Sequence, residues 1–167
     1  LGPIGLSWAR LLSRHGCKVY AYDIASNAVQ RADAELQQDV QYVHGPNRVF
    51  TVAPSTSQGG TPGQVIFRES LTPEICSVGY LFDCTPERLD VKKDFVSQLD
   101  SLVGETTIML SSTSGMPVST FAADCSFRTR CLVAHPINPP DLIPLVELCP
   151  APFTEEGVVD KALLFMK

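Results

Sequence analysis

The chain opens with the turn Gly2-Pro-Ile-Gly5, continues as Leu6-Ser-Trp-Ala-Arg-Leu-Leu-Ser-Arg-His-Gly16, and then reads Cys17-Lys-Val-Tyr-Ala-Tyr-Asp23. The middle stretch predicts a helix, because apolar residues recur at the spacing of one helix face and a glycine ends it. The last stretch predicts a strand, because apolar and polar residues alternate along it. The helix face is defined by Ile4, Trp8, Leu11 and Leu12. A glycine turn, a helix and a strand in this order are typical of an α/β fold.

The same alternation of short apolar strands and helices continues along the chain. Strands are predicted over residues 65–68, 80–84, 107–110, 131–134 and 145–148. Helices are predicted from Ser26 to about Val40, over 72–77, from Pro86 to about Leu102, near 117–124, and from Thr154 to the chain end. We therefore expect a Rossmann-type, doubly wound and mostly parallel sheet. Residues 44–63 are rich in proline and glycine without a sustained period, which predicts a long loop or insertion.

Charge and hydropathy patterning exclude two classes of partner. The 167 residues carry 13 Lys and Arg against 18 Asp and Glu, a formal net charge of -5. Because the chain has no basic cluster, we do not expect it to bind nucleic acid. No apolar run reaches the ~18 residues that a membrane-spanning helix needs, so no membrane partner is expected.

The six cysteines have no zinc-ligand spacing, so no metal site is expected. Four of them lie in or beside apolar runs, namely Cys17, Cys84, Cys131 and Cys149. This placement predicts buried thiols in a reducing compartment. The chain opens with Leu1 rather than Met and directly with a glycine-rich turn, so its natural N-terminus is expected to be missing. With the reduced thiols, a cytoplasmic fragment is the expectation.

The opening turn has the features of a phosphate-binding loop. Gly2 and Gly5 would let the backbone approach a pyrophosphate at the N-terminus of the helix, although such a pair is also common in ordinary turns. Asp23 ends the next strand, 21 positions after Gly2, where an acid would bind the ribose hydroxyls of a dinucleotide. A carboxylate there repels a 2′-phosphate, so NAD is predicted rather than NADP. The first strand and first glycine of this fingerprint are missing from the chain.

A histidine and a glutamate indicate acid–base chemistry. His135 follows the predicted strand 131–134, at the sheet edge where α/β proteins bind ligands. Glu147 lies within the apolar run Pro144-Leu-Val-Glu-Leu148, where a carboxylate is costly unless it is paired. Together they form the arrangement that orients a general base. The alternatives are a hydrogen-bonded loop histidine and a strand face turned to water.

Several motifs together resemble the NAD-binding domain of the 3-hydroxyacyl-CoA dehydrogenase superfamily. They are Gly2-Pro-Ile-Gly-Leu-Ser-Trp-Ala9, Tyr22-Asp23, Pro86-Glu-Arg-Leu-Asp-Val-Lys92, Leu110-Ser-Ser-Thr-Ser114, His135-Pro-Ile-Asn-Pro-Pro140 and Pro144-Leu-Val-Glu147. The sequence around His135 and Glu147 resembles that of the lambda-crystallin branch of the family, which acts on small hydroxy acids. The resemblance covers the chain except for about 41–78, and it implies a partial NAD-binding domain over 1–167 that lacks a C-terminal helical domain.

The resemblance implies a role for each matching residue. His135 would be the general base, Glu147 its orienting partner, and Ser114 a hydrogen-bond donor to the reacting substrate oxygen. The cofactor would be held by Gly2, Pro3, Ile4, Gly5, Asp23, Glu87, Lys92 and Asn138. Without the resemblance, Glu87 and Lys92 are equally typical of a solvated helical charge pair. Residues 111–114 are then equally typical of a polar turn that caps a helix.

The implied activity is NAD-dependent oxidation of the 3-hydroxyl of a small hydroxy acid, with L-gulonate as the best candidate substrate. One alternative is the same chemistry on a 3-hydroxyacyl-CoA of fatty acid oxidation; only Arg48 and Arg68 are available as scattered basic residues for its phosphates. Another is a non-catalytic, crystallin-like structural protein. A homodimer is implied for the full-length protein, and these 167 residues alone are expected to be inactive.

Overall fold

The first of two compact units comprises Leu1–Ser70 and Asn138–Ile143. The computed structural model describes residues 2–25, 40–43, 49–52 and 63–167 of the chain. In this unit, helix α1 (Pro3–Arg14) is followed by β1 (Lys18–Tyr22), β2 (Val40–Val43), β3 (Val49–Val52) and β4 (Gln64–Arg68). The strand order is β1-β4-β3-β2; β1 and β4 are parallel, and the β4–β3 and β3–β2 pairs are antiparallel.

Helix α1 begins and ends where its sequence predicts. Pro3 occupies the first turn, where its missing N–H costs no hydrogen bond, and Gly16 follows the helix with φ of 82°, a conformation that glycine adopts without strain. The helix packs on the sheet through Ala9, which contacts Ala21 and Val65. The buried face is centred on Leu6, Trp8, Ala9 and Ser13, whereas the predicted Ile4, Leu11 and Leu12 are only half-buried.

The second unit comprises Leu71–Ile137 and Pro144–Lys167. Its elements are α2 (Pro73–Cys76), β5 (Tyr80–Asp83), α3 (Leu89–Leu99), β6 (Ile108–Ser111), β7 (Cys131–Pro136), β8 (Val146–Pro150) and α4 (Glu156–Phe165), with short 3-10 turns at Val118–Thr120 and Arg128–Arg130. The strand order is β5-β6-β7-β8, and only the last pair is antiparallel among these described strands.

The core of this unit forms between the sheet and α4. Leu110 on β6 and Leu132 on β7 are fully buried, and Val158 and Ala162 of α4 pack against the same cluster. The stacked rings of Tyr80 and Phe165 extend that contact, with centroids 3.9 Å apart. Burial of these apolar side chains holds β5, β6 and β7 side by side, so that their carboxyl ends lie along one edge of the sheet.

The alternation of strands and helices confirms the predicted α/β fold. The parallel β1–β4 and β5–β6–β7 pairs are the arrangement expected of a doubly wound protein. Three strands run antiparallel to their neighbours: β2 and β3, which were not predicted, and β8, which corresponds to the strand predicted over 145–148. None of the helices in the described ranges is both long and apolar enough to cross a membrane.

Several predicted elements are wrong in type or bounds, and one prediction lies outside the described residues. The helix predicted near 117–124 is only the 3-10 turn Val118–Thr120, and the last helix begins at Glu156 rather than at Thr154. Strand β3 falls inside the predicted 44–63 loop, where Val49-Phe-Thr-Val52 is a β-branched and aromatic run. Helix α3 begins at Leu89 rather than Pro86, because Arg88 is extended and Glu87 bonds to another loop. The predicted helix after Ser26 falls mainly on residues that are not described.

The cysteine prediction is partly wrong. All six cysteines are free. Cys131 is buried as expected, whereas Cys17 and Cys84 are only half-buried and Cys149 is exposed on β8. Cys76 and Cys125, which lie outside the longer apolar runs, are the other buried thiols.

Candidate active site

His135 lies near the carboxyl end of β7, directly opposite Glu147 in the antiparallel register with β8. The imidazole Nδ1 and the Glu147 Oε2 are 2.9 Å apart. An ionised carboxylate can only accept a hydrogen bond, so in the neutral imidazole Nδ1 carries the hydrogen and Nε2 is left with its lone pair. The hairpin register therefore sets the tautomer that a general base requires.

Ser114 occupies the other side of the ring. It lies in the loop after β6, and its Oγ is 3.1 Å from His135 Nε2. Because Nε2 is the accepting nitrogen, the serine hydroxyl donates to it. The three predicted residues Ser114, His135 and Glu147 thus form one row of hydrogen bonds.

The exposure of this row is uneven. The His135 side chain is 27% exposed and the Glu147 side chain is 68% exposed. The expectation that Glu147 is buried inside an apolar strand is therefore wrong: β8 ends the strand order, and the side chain faces water while its oxygen reaches the imidazole.

Glu87 fixes the loop that carries Ser114. Its Oε1 accepts hydrogen bonds from Thr113 Oγ1 at 2.6 Å and from the Gly115 amide at 3.0 Å. Partial burial acts to raise the pKa of Glu87, but the bonds from Thr113 and Gly115, the charge of Lys92 and the Ser114 amide together lower it below its ordinary value. The carboxylate that the resemblance assigns to the cofactor thus also binds the Ser114 loop.

Lys92 lies in the interior, and its predicted contact with the cofactor stays a prediction. Its side chain is 1% exposed, and its Nζ is 2.9 Å from Oδ2 of Asp83, itself 0% exposed. A buried ammonium needs a paired carboxylate, and Asp83 at the end of β5 provides it. Lys92 is also not part of a solvated helical charge pair, because it lies on the buried face of α3.

In the first unit, Gly2-Pro-Ile-Gly5 forms the N-terminus of α1. Gly2 is the exposed N-cap, no side chain caps the helix, and no acidic residue lies in its first turn. A Cβ placed on Gly2 would meet no atom within 4 Å, so this side of the turn is open. An uncapped helix N-terminus with free space beside it fits a pyrophosphate.

Asp23 follows directly after β1 and is half-buried. Its Oδ1 accepts a hydrogen bond from the Ala25 amide at 2.8 Å, which orients the side chain. An oriented carboxylate at the end of the strand after the glycine turn fits ribose hydroxyls. The predicted cofactor residues Gly2, Pro3, Ile4, Gly5 and Asp23 therefore belong to one unit.

Asn138 belongs to the segment Asn138–Ile143, which packs with the first unit. Arg10 of α1 holds this segment through a bond of 2.8 Å from its guanidinium to Asp141 Oδ2. Burial acts to raise the pKa of Asp141, but the bond and charge of Arg10 and a bond from Ser7 lower it. Asn138 itself is exposed, so its side chain is accessible to a ligand.

Sequence reasoning missed the groups that support the site. Asp83 ends the apolar strand Tyr80-Leu-Phe-Asp83, and the cost of an unpaired carboxylate in such a strand was a usable signal. Glu147, the other carboxylate in an apolar strand, is exposed. Thr85 is a local partner of Asp83, two positions later in the chain, whereas no local pattern marks the more distant partners of Asp83 and Glu87, which are Lys92, Ser111, Thr113 and Gly115.

The family model described as "3-hydroxyacyl-CoA dehydrogenase, NAD binding domain" matches residues 1–167. The chain belongs to this family. The lambda-crystallin homolog of Homo sapiens is 33% identical over 99% of this chain and 51% of its own length. A 3-hydroxyacyl-CoA dehydrogenase of Gibberella moniliformis is 30% identical over 99% of this chain and 49% of its own length. The chain thus spans about half the length of the curated relatives it matches.

Solved structures of dehydrogenases have the same fold. The NAD+-dependent 5-formyl-3-hydroxy-2-methylpyridine 4-carboxylic acid 5-dehydrogenase superposes with a TM-score of 0.78, at 27% identity, over 99% of this chain and 52% of that one. These comparisons confirm the predicted superfamily, its Rossmann-type fold and NAD as the cofactor of the family. The roles of individual residues stay predictions.

Proposed function

We propose that the chain supplies the NAD-binding and proton-transfer parts of a dehydrogenase that oxidises the 3-hydroxyl of a small hydroxy acid, with L-gulonate as the best candidate. The observation that carries this proposal is the hydrogen-bonded row Ser114–His135–Glu147. It presents an acceptor nitrogen beside a hydroxyl donor, which is what removal of a hydroxyl proton requires.

In the proposed mechanism, Nε2 of His135 accepts the proton of the substrate hydroxyl. Glu147 holds the imidazole through Nδ1 and stabilises the positive charge that develops on the ring. Ser114 donates to the reacting oxygen, so it exchanges its present partner, Nε2, for the substrate. Glu87 keeps Ser114 in place by holding both of its neighbours, Thr113 and Gly115.

NAD would be held by the α1 N-terminus at Gly2, Pro3, Ile4 and Gly5, with Asp23 on the ribose and Asn138 on the nicotinamide side. When bound, NAD supplies the acceptor for the hydride that leaves the substrate carbon. The uncapped N-terminus and the oriented Asp23 carboxylate support this assignment. A 2′-phosphate would meet the negative charge of Asp23, so NAD rather than NADP is proposed.

Two substrate classes share this chemistry. The lambda-crystallin relatives support a small hydroxy acid, while the relative named 3-hydroxyacyl-CoA dehydrogenase supports an acyl-CoA. The site row is complete, which counts against a purely structural, crystallin-like role. A homodimer of the complete protein and a cytoplasmic location are further parts of the proposal and rest on the family resemblance.

The test is formation of NADH by the complete protein with L-gulonate, compared with 3-hydroxybutyryl-CoA. We expect turnover with gulonate that is lost in His135→Gln. Turnover with the acyl-CoA alone would replace the substrate assignment and leave the chemistry intact. No NADH from either substrate, in protein that binds NAD, would contradict the proposed activity.

A further inference from the structure

Asp83 is a buried carboxylate whose two oxygens are both bonded. Its Oδ2 accepts hydrogen bonds from Lys92 Nζ at 2.9 Å and from Ser111 Oγ at 2.6 Å. Its Oδ1 accepts from Thr85, through the amide at 3.0 Å and the hydroxyl at 2.6 Å. With side-chain exposures of 0% and 1%, Asp83 and Lys92 form a fully desolvated ion pair.

These bonds join the two loops that meet beneath the candidate site. Lys92 also reaches the Thr85 carbonyl at 3.3 Å, which ties α3 to the connection after β5. The Ser112 amide donates to the Asp83 carbonyl at 2.9 Å, which ties that connection to the residues after β6. The first loop carries Glu87, and the second carries Ser114.

Stability alone gives little reason for an ion pair at this place. Replacing a buried pair by apolar residues of similar volume is often neutral or stabilising, because the charges no longer have to be desolvated. Phe121, whose ring centre is 5.7 Å from Lys92 Nζ, shows that the surroundings are partly apolar. What an apolar pair could not do is fix Thr85 and Ser111 by directed hydrogen bonds.

We propose that Asp83 and Lys92 are positioning residues for His135. By joining the ends of β5 and β6, they hold Glu87 and its partners Thr113 and Gly115 where Ser114 Oγ reaches the imidazole. A catalytic role for the contact between Ser114 and His135 rests on the proposed function. The contact itself, and the effect of Asp83 on it, do not depend on that function.

The test uses the 167-residue chain and needs no substrate. The readout is the 15N chemical shift of His135 Nε2, which responds to loss of the Ser114 hydrogen bond, with Ser114→Ala as the reference. In the double variant Asp83→Asn/Lys92→Met, which removes both charges at nearly constant volume, we expect a folded protein whose Nε2 shift moves to the Ser114→Ala value. Adding Ser114→Ala to this variant should change nothing further.

A matched control lies at the start of the same helix. Arg88 and Asp90 form an ion pair whose side chains are 68% and 66% exposed. Arg88→Met/Asp90→Asn should leave the Nε2 shift at the wild-type value, because this pair holds no loop of the site. A change equal to that of the buried pair would mean a general effect of charge and would overturn the proposal.

A folded Asp83→Asn/Lys92→Met protein with the wild-type Nε2 shift would overturn the proposal. If that variant does not fold, Ser111→Ala removes only the 2.6 Å bond to Asp83 and leaves the ion pair. It should shift Nε2 in the same direction, and an unchanged shift would again overturn the proposal. If the Nε2 shift moves while turnover of the complete protein stays normal, positioning is supported and the proposed role of Ser114 in the reaction is contradicted.

Discussion

At the scale of single residues, the two ring nitrogens of His135 face partners of different capacity. The Glu147 carboxylate can only accept a hydrogen bond, whereas the Ser114 hydroxyl can donate or accept one. Nε2, which faces Ser114, can therefore accept a proton while Nδ1 stays bonded to Glu147 and the ring does not rotate. Residues that act as such a unit give non-additive effects when they are substituted. This property allows the assignment of the base to be tested by kinetics.

His135→Gln should lower kcat of the complete protein by roughly 10²–10⁴-fold, the usual contribution of general acid–base catalysis. NAD affinity should stay unchanged, because the imidazole is proposed to act on the substrate hydroxyl and not on the phosphates of the cofactor. Glu147→Gln should lose much of the same activity, and the double variant should be little worse than His135→Gln alone. Steady-state kinetics of the three variants check this, and near-normal turnover in His135→Gln would contradict it.

Asp23 should make the chain bind NAD about tenfold more tightly than NADP, a difference of about 1.4 kcal/mol. The physical reason is repulsion between its carboxylate and the 2′-phosphate at the end of β1. Calorimetric titration of the 167-residue chain with both cofactors measures this, and Asp23→Asn should reduce the preference. Equal affinities for NAD and NADP in the wild-type chain would refute the assignment.

Single residues were predictable where the sequence places a polar group in an apolar context. His135 and Glu147 stand out in that way, and the family resemblance supplied Ser114. For Lys92 the alternative of a solvated helical charge pair is wrong, because its ammonium pairs with Asp83, nine positions earlier in the chain, in the interior. Local patterns do not show which charges meet in the interior.

At the scale of elements, the position of α3 is decided by tertiary hydrogen bonds. Pro86 is typical of a first helical turn, yet the residues on either side of it are held by other groups: Glu87 binds Thr113 and Gly115, and Thr85 binds Asp83. The helix therefore starts only at Leu89. The strands were easier to predict, because short apolar runs between turns suffice to mark them.

The Glu87 contact with the Ser114 loop should persist into acidic solution. Folding lowers the pKa of Glu87, so the ionised carboxylate contributes to the stability of the folded protein. This contribution is fully present above the ordinary glutamate pKa and is lost only as the pH falls through the lowered pKa of the folded state. The Gly115 amide shift, followed by NMR against pH, should therefore change with a midpoint below the ordinary glutamate range. Glu87→Gln should abolish that transition, and a midpoint at or above the ordinary range would contradict the assignment.

The central strand β6 should be sensitive to cavity formation. Leu110 is 0% exposed in the cluster beneath α4, so Leu110→Ala should lower the free energy of unfolding by about 2–5 kcal/mol. Leu164 on α4 is 75% exposed, and Leu164→Ala should change the free energy of unfolding by no more than about 0.5 kcal/mol. Urea denaturation measures both. A similar loss in the two variants would show that this core cluster is misassigned.

At the scale of the whole molecule, the thiols report which regions are closed to solvent. Cys149 is exposed, whereas Cys76 and Cys131 are fully buried. The pKa of Cys131 is raised, first by the hydrogen bond with Cys125 and then by burial. Because the thiolate is the nucleophile, a raised pKa makes Cys131 less reactive as well as less accessible. In native protein, a thiol reagent should modify Cys149 rapidly and Cys131 only after unfolding, as peptide mapping would show. Early labelling of Cys131 would contradict the packing of β7.

The class of the molecule was predictable from sequence, but its division into sheets was not. Alternating strands and helices indicate an α/β protein whatever the strand order is. The antiparallel pairing of β2, β3 and β8 depends on the direction in which neighbouring strands run, which a local period does not record. In the first unit, Val49-Phe-Thr-Val52 is short and flanked by prolines and glycines, so it was assigned to a loop.

The ladder between β7 and β8 also restricts how this protein can diverge by insertion and deletion. Side chains alternate between the two faces of a strand, so one residue gained or lost in β8 ahead of Glu147 would turn its carboxylate away from His135. Length changes confined to the connecting residues 138–143 leave Glu147 on the same face of β8 as before, opposite His135. Viable length variants of this hairpin should therefore be confined to its connection, while the strands that flank it keep their residue count.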